Sequence, residues 1–234
     1  MTVLSQYDRY KDDWGLVHSK VVKTYGLTGN AIRYTAEAIY VLKIVGEDPH
    51  IFKNPIISCE RIPGLLWRHP AHWSDTQQGP DDYIAYAFAA HVLNEPAMAQ
   101  RVIDYGNETG WVFKNGNLKE VSRFSPWLGR FPQLIAHYYF AAKKNPPRYT
   151  VAAWLAVILY SAYRTKKSNY DGWVLAWKLV RTAKGKGMIT DWVRRKWIKQ
   201  FKKAWPGGIG HLLGFAYNDM DHPSAVHLVG EFGE

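Results

Sequence analysis

Glu60, Asp81 and Asp82 lie in a stretch punctuated by proline and glycine, Ser58 to Ala90, that also holds Arg61, Arg68, His69, His72, Trp67 and Trp73. Two carboxylates facing each other across a cleft, one kept protonated by burial, are the acid and base of glycosidic hydrolysis. Indole faces stack on sugar rings, so Trp67, Trp73 and Trp127 are the matching platforms. The same residues have a plainer use. Asp81 and Asp82 suit the first turn of a helix, where the dipole favours negative charge, and Glu60 has Arg61 and Arg68 as ready ion-pair partners.

A second constellation comprises Arg130, Gln133, His137 and Tyr138. On a helix, positions 133 and 137 share a face and 130 lies one turn earlier. β-Elimination from an acidic polysaccharide needs a cation or amide to neutralise the uronate, and a His or Tyr to remove the α-proton. The competing reading is packing, since Tyr138 and Tyr139 also make an aromatic stripe. Metal ligation is less well supported. His69, His72 and Asp75, with Asp81 or Asp82 nearby, have His-x-x-His spacing in a loop, without the His-Glu-x-x-His signature of zinc proteases. Asp219, Asp221 and His222 read first as a capping or surface cluster. Neither a metal nor a cofactor is expected.

The helix predicted over 189–205 carries Arg194, Arg195, Lys196, Lys199, Lys202 and Lys203. It could lie on nucleic acid or another anionic polymer, although a solvated face explains the charges equally well and no zinc-finger, RRM or P-loop pattern accompanies it. The formal net charge of +10, with 11 Trp and 15 Tyr, suits polysaccharides and other anionic polymers as partners. Cys59 is the only cysteine, which excludes an internal disulfide or a thiolate cage, and it reads as a small buried side chain.

These residues need a scaffold, and the chain of 234 residues is long enough to build a core without staples. A single mostly helical domain over 1–234 is expected. Residues 1–26 read as a short helix leading into a turn at Gly26. Apolar positions Ile32, Ala36, Ile39, Tyr40 and Leu42 recur at helical spacing from Ala31 to Val45, with Gly46 as the stop and Glu37 on a solvated face. Asp48 to Gly79 is a long loop with short helical turns hidden inside it. Pro80 starts the next helix, followed by one over Ala97 to Tyr105 closed by Gly106. Asn115-Gly116-Asn117 predicts a small β-hairpin near 111–121. A helix from Gln133 to Lys143 precedes four more, at 150–163, 169–182, 189–205 and 209–217, and the tail from Asn218 to Glu234 holds a last helical turn. Such hairpins suit a bundle or an α/α-toroid-like array. The longest apolar run, Val151 to Tyr163, is shorter than the ~20 residues a spanning helix needs, and no secretion signal is expected from the first residues. A soluble chain without a membrane span is expected.

Three motifs carry a resemblance: Glu60-Arg61-Ile62-Pro63-Gly64-Leu65, Gly79-Pro80-Asp81-Asp82-Tyr83-Ile84 and Gly129-Arg130-Phe131-Pro132-Gln133-Leu134-Ile135-Ala136-His137. Over roughly residues 28 to 230 the chain resembles a family of mostly uncharacterised proteins found in bacteriophages and environmental sequences. That resemblance implies a host-cytoplasmic or virion-associated protein and assigns no catalytic roles. The hairpin pattern is similar in outline to six-hairpin glycosidases and α/α-toroid polysaccharide lyases. The leading expectation is a glycan-active enzyme cleaving an anionic or cell-wall polysaccharide, with hydrolysis by Glu60, Asp81 and Asp82 ahead of lyase chemistry at His137 and Tyr138. The alternative is a non-enzymatic phage virion or host-interaction protein.

Overall fold

The computed structural model describes residues 2–22, 31–72, 80–114, 120–123, 131–150, 152, 221–224 and 226–227. Within them helix outweighs strand by 63% to 8%, so this part of the chain is mostly α. The expected helices at 150–163, 169–182, 189–205 and 209–217 lie outside the described residues, apart from helical residues 150 and 152. No helix among the described residues is long and apolar enough to cross a membrane.

Helix α1 (Val3–Gln6) is short and capped by Thr2, whose Oγ1 accepts the Ser5 amide at 3.2 Å. Val3 and Leu4 donate their amides to the Glu47 carboxylate, both at 2.8 Å, which ties this end to the far side of the next helix. The sequence predicts one helix here. Instead a 3₁₀ turn at Asp8–Tyr10 leads into a tight loop closed by the Lys11–Val17 bridge.

Helix α2 (Ala31–Val45) matches its predicted span, with Gly46 following at φ 79°. Its burial does not match expectation, for every residue from Ala31 to Leu42 is inside. Glu37, expected on a solvated face, is 5% exposed and pairs with Arg33 one turn earlier at 3.2 Å. An acid enclosed by packing survives only with a partner, and the i,i+4 spacing supplies one.

The long loop proves to be built of small pieces. A 3₁₀ turn at Pro49–Phe52 leads into α3 (Lys53–Ile57). An irregular hairpin of β1 (Glu60–Ile62) and β2 (Leu65–Leu66) follows, and then a 3₁₀ turn at Pro70–His72. Gly64 makes the hairpin possible. It turns at φ 86°, and a Cβ there would fall 2.2 Å from the Arg101 carbonyl oxygen.

Helix α4 (Pro80–Val92) starts at the proline, as predicted, and is the hub of the core, packing on α2, on α5 (Pro96–Thr109) and on α6 (Phe131–Ala141). Tyr83, Tyr86, Phe88 and Tyr138 are fully enclosed around it, each such ring contributing about 2–3 kcal/mol by burial. Their polar ends are satisfied: Tyr138 donates its hydroxyl to the Tyr83 carbonyl at 2.6 Å, and the Leu66 amide donates to the Tyr83 hydroxyl at 3.1 Å.

Gly106, predicted as the stop of α5, lies inside it. The left-handed cap is Gly110, at φ 64°. Gly106 serves packing instead, since a Cβ there would approach the Trp111 ring to 2.7 Å. The predicted hairpin is present as β3 (Val112–Lys114) paired antiparallel with β4 (Glu120–Arg123).

Candidate functional site

The loop at residues 11–18 is shaped by one side chain. Asp12 Oδ1 accepts the amides of Trp14 at 2.9 Å and Leu16 at 3.0 Å, an Asx-type turn that Gly15 completes at φ 75°. The loop is anchored to α2 through the Val17 amide, which donates to Thr35 Oγ1 at 2.9 Å. With Oδ1 fixed, Oδ2 points inward. The Nε2 atoms of His18 and His69 each lie 2.7 Å from it. All three side chains are enclosed, at 3%, 0% and 2% exposure for Asp12, His18 and His69.

His69 is oriented by its own chain. Pro70 restrains it towards an extended backbone, and its Nδ1 accepts the Ala71 amide at 3.1 Å. That contact puts the proton on Nε2, facing Asp12. The same device recurs at His222-Pro223-Ser224: His222 Nδ1 accepts the Ser224 amide and Nε2 donates to the His18 carbonyl, both at 3.1 Å. The expected capping role of His222 is thus seen on a buried ring, and it buttresses His18 from behind. Burial by itself would raise the Asp12 pKa. Hydrogen bonds from His18, His69 and the Leu16 amide outweigh it and hold the carboxyl well below the usual range.

Beside this cluster opens a cavity of about 660 Å³ bordered by Asp8, Arg9, Lys11, Asp12, Asp13, Trp14, Val21, Val22, His69 and Ala71. Trp14 is 48% exposed and meets the His69 ring edge-on. Lys11 pairs with Asp8 at 2.6 Å, so the wall carries both signs of charge despite the strongly basic composition.

No family model matches this chain, and no curated protein or solved structure is significantly similar to it.

The residues singled out from sequence are distributed differently from the expectation. Glu60 is held by Arg101 on α5, whose Nη2 lies 2.6 Å from Oε1, by the Tyr86 hydroxyl and by the Gly64 amide. The expected partners Arg61 and Arg68 are not the ones it takes. The hydrogen bond to Glu60 holds the Arg101 pKa above its ordinary value against partial burial. Desolvation, added to by the Glu60 charge, pushes the Tyr86 phenol up. Asp82, 1% exposed, turns to a different cation, with Arg68 Nε 3.5 Å from Oδ2. Glu60 and Asp82 thus face separate partners, and neither borders the 660 Å³ cavity.

Trp67 is wholly enclosed, with the Arg61 guanidinium over its ring at 5.2 Å, so it offers no face to a sugar. His137 and Tyr138 are fully buried on α6. Desolvation lowers the His137 pKa to about 3 and raises that of Tyr138. Cys59 is buried as expected, and desolvation, together with the charges of Asp82, Asp12 and Glu60, keeps it a thiol. Trp73, Asp75, Trp127, Arg130 and the basic helix at 189–205 lie outside the described residues, as do the side chains of His72, Asp81 and Gln133.

Sequence reasoning missed Asp12 and His18, and it placed His69 with His72 and Asp75. The available signals were Asp12-x-Trp14-Gly15 as an Asx turn and the repeated His-Pro dipeptide at 69 and 222.

Proposed function

We propose that this chain is a glycan-active protein whose sugar site is the cavity beside Trp14, rather than a cleft between Glu60 and Asp82. The observation that carries the proposal is the half-exposed indole of Trp14 on the wall of a cavity of about 660 Å³ that also bears Asp8 and Asp13. That volume lies within the range of small-ligand sites, and an indole face with adjacent carboxylates is how proteins hold sugar rings and their hydroxyls. Asp13 is an exposed carboxylate of the wall and the one assigned to acid–base work, because Asp8 is paired with Lys11 and Asp12 already accepts from two amides and two imidazoles.

Three carboxylates against Arg9 and Lys11 leave the wall slightly acidic. A neutral or amino sugar of the cell-wall kind fits it better than a uronate polymer. Hydrolysis is preferred over β-elimination for the same reason, and because His137 and Tyr138 are enclosed. The matching architecture is an array of helical hairpins of the α/α-toroid kind, supported by α4 and α5 meeting through a three-residue turn. The bacteriophage likeness fits a cell-wall substrate.

The test is incubation of the full chain with cell-wall, neutral and anionic glycans. New reducing ends, lost in Asp13→Asn and Trp14→Ala, are expected. An ultraviolet-absorbing unsaturated product would mean lyase chemistry instead. Neither cleavage nor retention of any glycan would end the proposal.

A second reading has its own observation. Glu60 is saturated by Arg101, Tyr86 and Gly64, which is what a structural carboxylate looks like. It supports a non-enzymatic virion or host-interaction protein, for which the same panel gives retention on a glycan without cleavage.

A further inference from the structure

We infer that Asp12, His18 and His69 form a binding site for a divalent transition-metal ion, with the open side of the ion turned to the Trp14 cavity. The inference goes beyond the glycan reading and does not rest on it. One ligand atom from each of the three lies within 4.8 Å of the others, both Nε2 atoms are 2.7 Å from Asp12 Oδ2, and the residues come from two separate stretches of chain. Two imidazoles and one carboxylate converging on one point are the donor set of zinc and non-haem iron sites. Three protein ligands leave at least one position for water or for an oxygen of a bound molecule. Asp12 and His69 border the cavity and His18 lies behind them, so that position faces accessible space.

The supporting contacts are those a metal centre needs. The amides of Trp14 and Leu16 hold Oδ1 and so aim Oδ2. His222 holds the backbone of His18 through its carbonyl. The ion would replace the two Nε2–Oδ2 hydrogen bonds, and one further contact opposes it. With a metal on Nε2, His69 would carry its proton on Nδ1, where the Ala71 amide now donates. Ala71 is exposed, so its amide can turn to water. The exchange gives up three hydrogen bonds, the two to Asp12 Oδ2 and the solvent-accessible one from Ala71, for three coordinate bonds.

The experiment uses the full chain, stripped with chelator and then titrated with Zn²⁺ or Co²⁺ alone. Expected are one ion retained per chain, ligand-field absorption of bound Co²⁺ in the visible, and a rise in melting temperature reversed by chelator. Affinity should fall by about tenfold or more in His69→Gln and stay unchanged in His50→Ala, an exposed histidine outside the cluster. Zinc-edge X-ray absorption on the unmutated protein covers the case in which His69→Gln fails to fold. Two imidazoles at about 2.0–2.1 Å are expected. No retained ion, equal binding by His69→Gln, or a zinc shell without imidazole would each overturn the assignment.

Discussion

Glu60 and Asp12 are both enclosed carboxylates with every lone pair occupied, yet they are saturated by different chemistry. Glu60 faces a guanidinium that is 31% exposed, a phenol and one amide. Asp12 faces two imidazoles that are 2% exposed or less, and two amides. A guanidinium is permanently charged and geometrically fixed, so the first cluster is a clamp between β1 and α5. Imidazoles can exchange a proton for a metal, and their cluster opens onto a cavity, so the second retains chemical options. What separates a brace from a site is therefore the identity of the donors and what lies beyond them. The number of carboxylates does not decide it.

The largest effect is expected at Asp12. Asp12→Ala leaves two imidazole and two amide donors facing an enclosed gap, at a cost of about 3–5 kcal/mol. A fall in melting temperature of roughly 10 °C follows for a chain of this size. Asp12→Asn should cost nearly as much, because its amide nitrogen would meet the two Nε2–H groups and His69 cannot change tautomer without losing the Ala71 contact. Denaturant unfolding measures both. A loss below about 1 kcal/mol for either would put Asp12 on a par with an ordinary surface acid.

His137 sharpens the contrast, being a buried imidazole whose pKa is lowered by desolvation. Its pKa in the fold is about 3, against 6.5 for the free side chain. The unfolded chain therefore takes up a proton below pH 6.5 that the fold refuses until about pH 3. Its contribution is complete above the unfolded value and is lost as pH falls between the two. The slope is at most about 1.4 kcal/mol per pH unit, or roughly 2–3 kcal/mol between pH 6 and 4. His137→Phe should flatten the acid limb of stability against pH by that amount. An unchanged limb would place the titrating group elsewhere.

Glu60→Gln is the milder counterpart to Asp12→Asn. Gln keeps an acceptor for the Gly64 amide, and Arg101 is exposed enough for water to take over part of its charge. A loss of about 1–2 kcal/mol is expected after that screening, with no change in glycan or metal binding. A larger loss in stability than in Asp12→Asn would reverse the ranking of the two clusters.

The sequence showed this contrast only in part. Helix α2 was legible because its apolar positions recur locally, α4 because Pro80 can start a helix, and the β3–β4 pair because Asn115-Gly116 favours a turn. The misreading of Gly106 arose from a neighbour: the demand comes from the Trp111 ring, while Gly110 takes the left-handed position. Glu37 and Trp67 looked solvent-facing or ligand-facing because polarity and size do not reveal which neighbours enclose them. Asp12 and His69 are separated by 57 positions, and no periodicity links two loops that meet only after α2 and the β1–β2 hairpin have packed.

Trp14 gives the smallest effect on stability and the clearest division between the two regions. Its ring is half in solvent and its amide alone serves the Asp12 turn. Trp14→Ala keeps that amide, so unfolding free energy should shift by no more than about 0.5 kcal/mol. Trp67→Ala removes an enclosed ring from the region first expected to hold sugar and should cost about 3–5 kcal/mol. Glycan binding should respond in the opposite order, falling by a factor of about ten for Trp14→Ala, while Trp67→Ala changes it only through folding. Affinity electrophoresis in a glycan-containing gel, run on protein shown to be folded, measures the first quantity, and urea unfolding measures the second. If Trp14→Ala binds like the parent, the cavity at residues 8–22 is not the sugar site, whatever the Asp12 cluster holds.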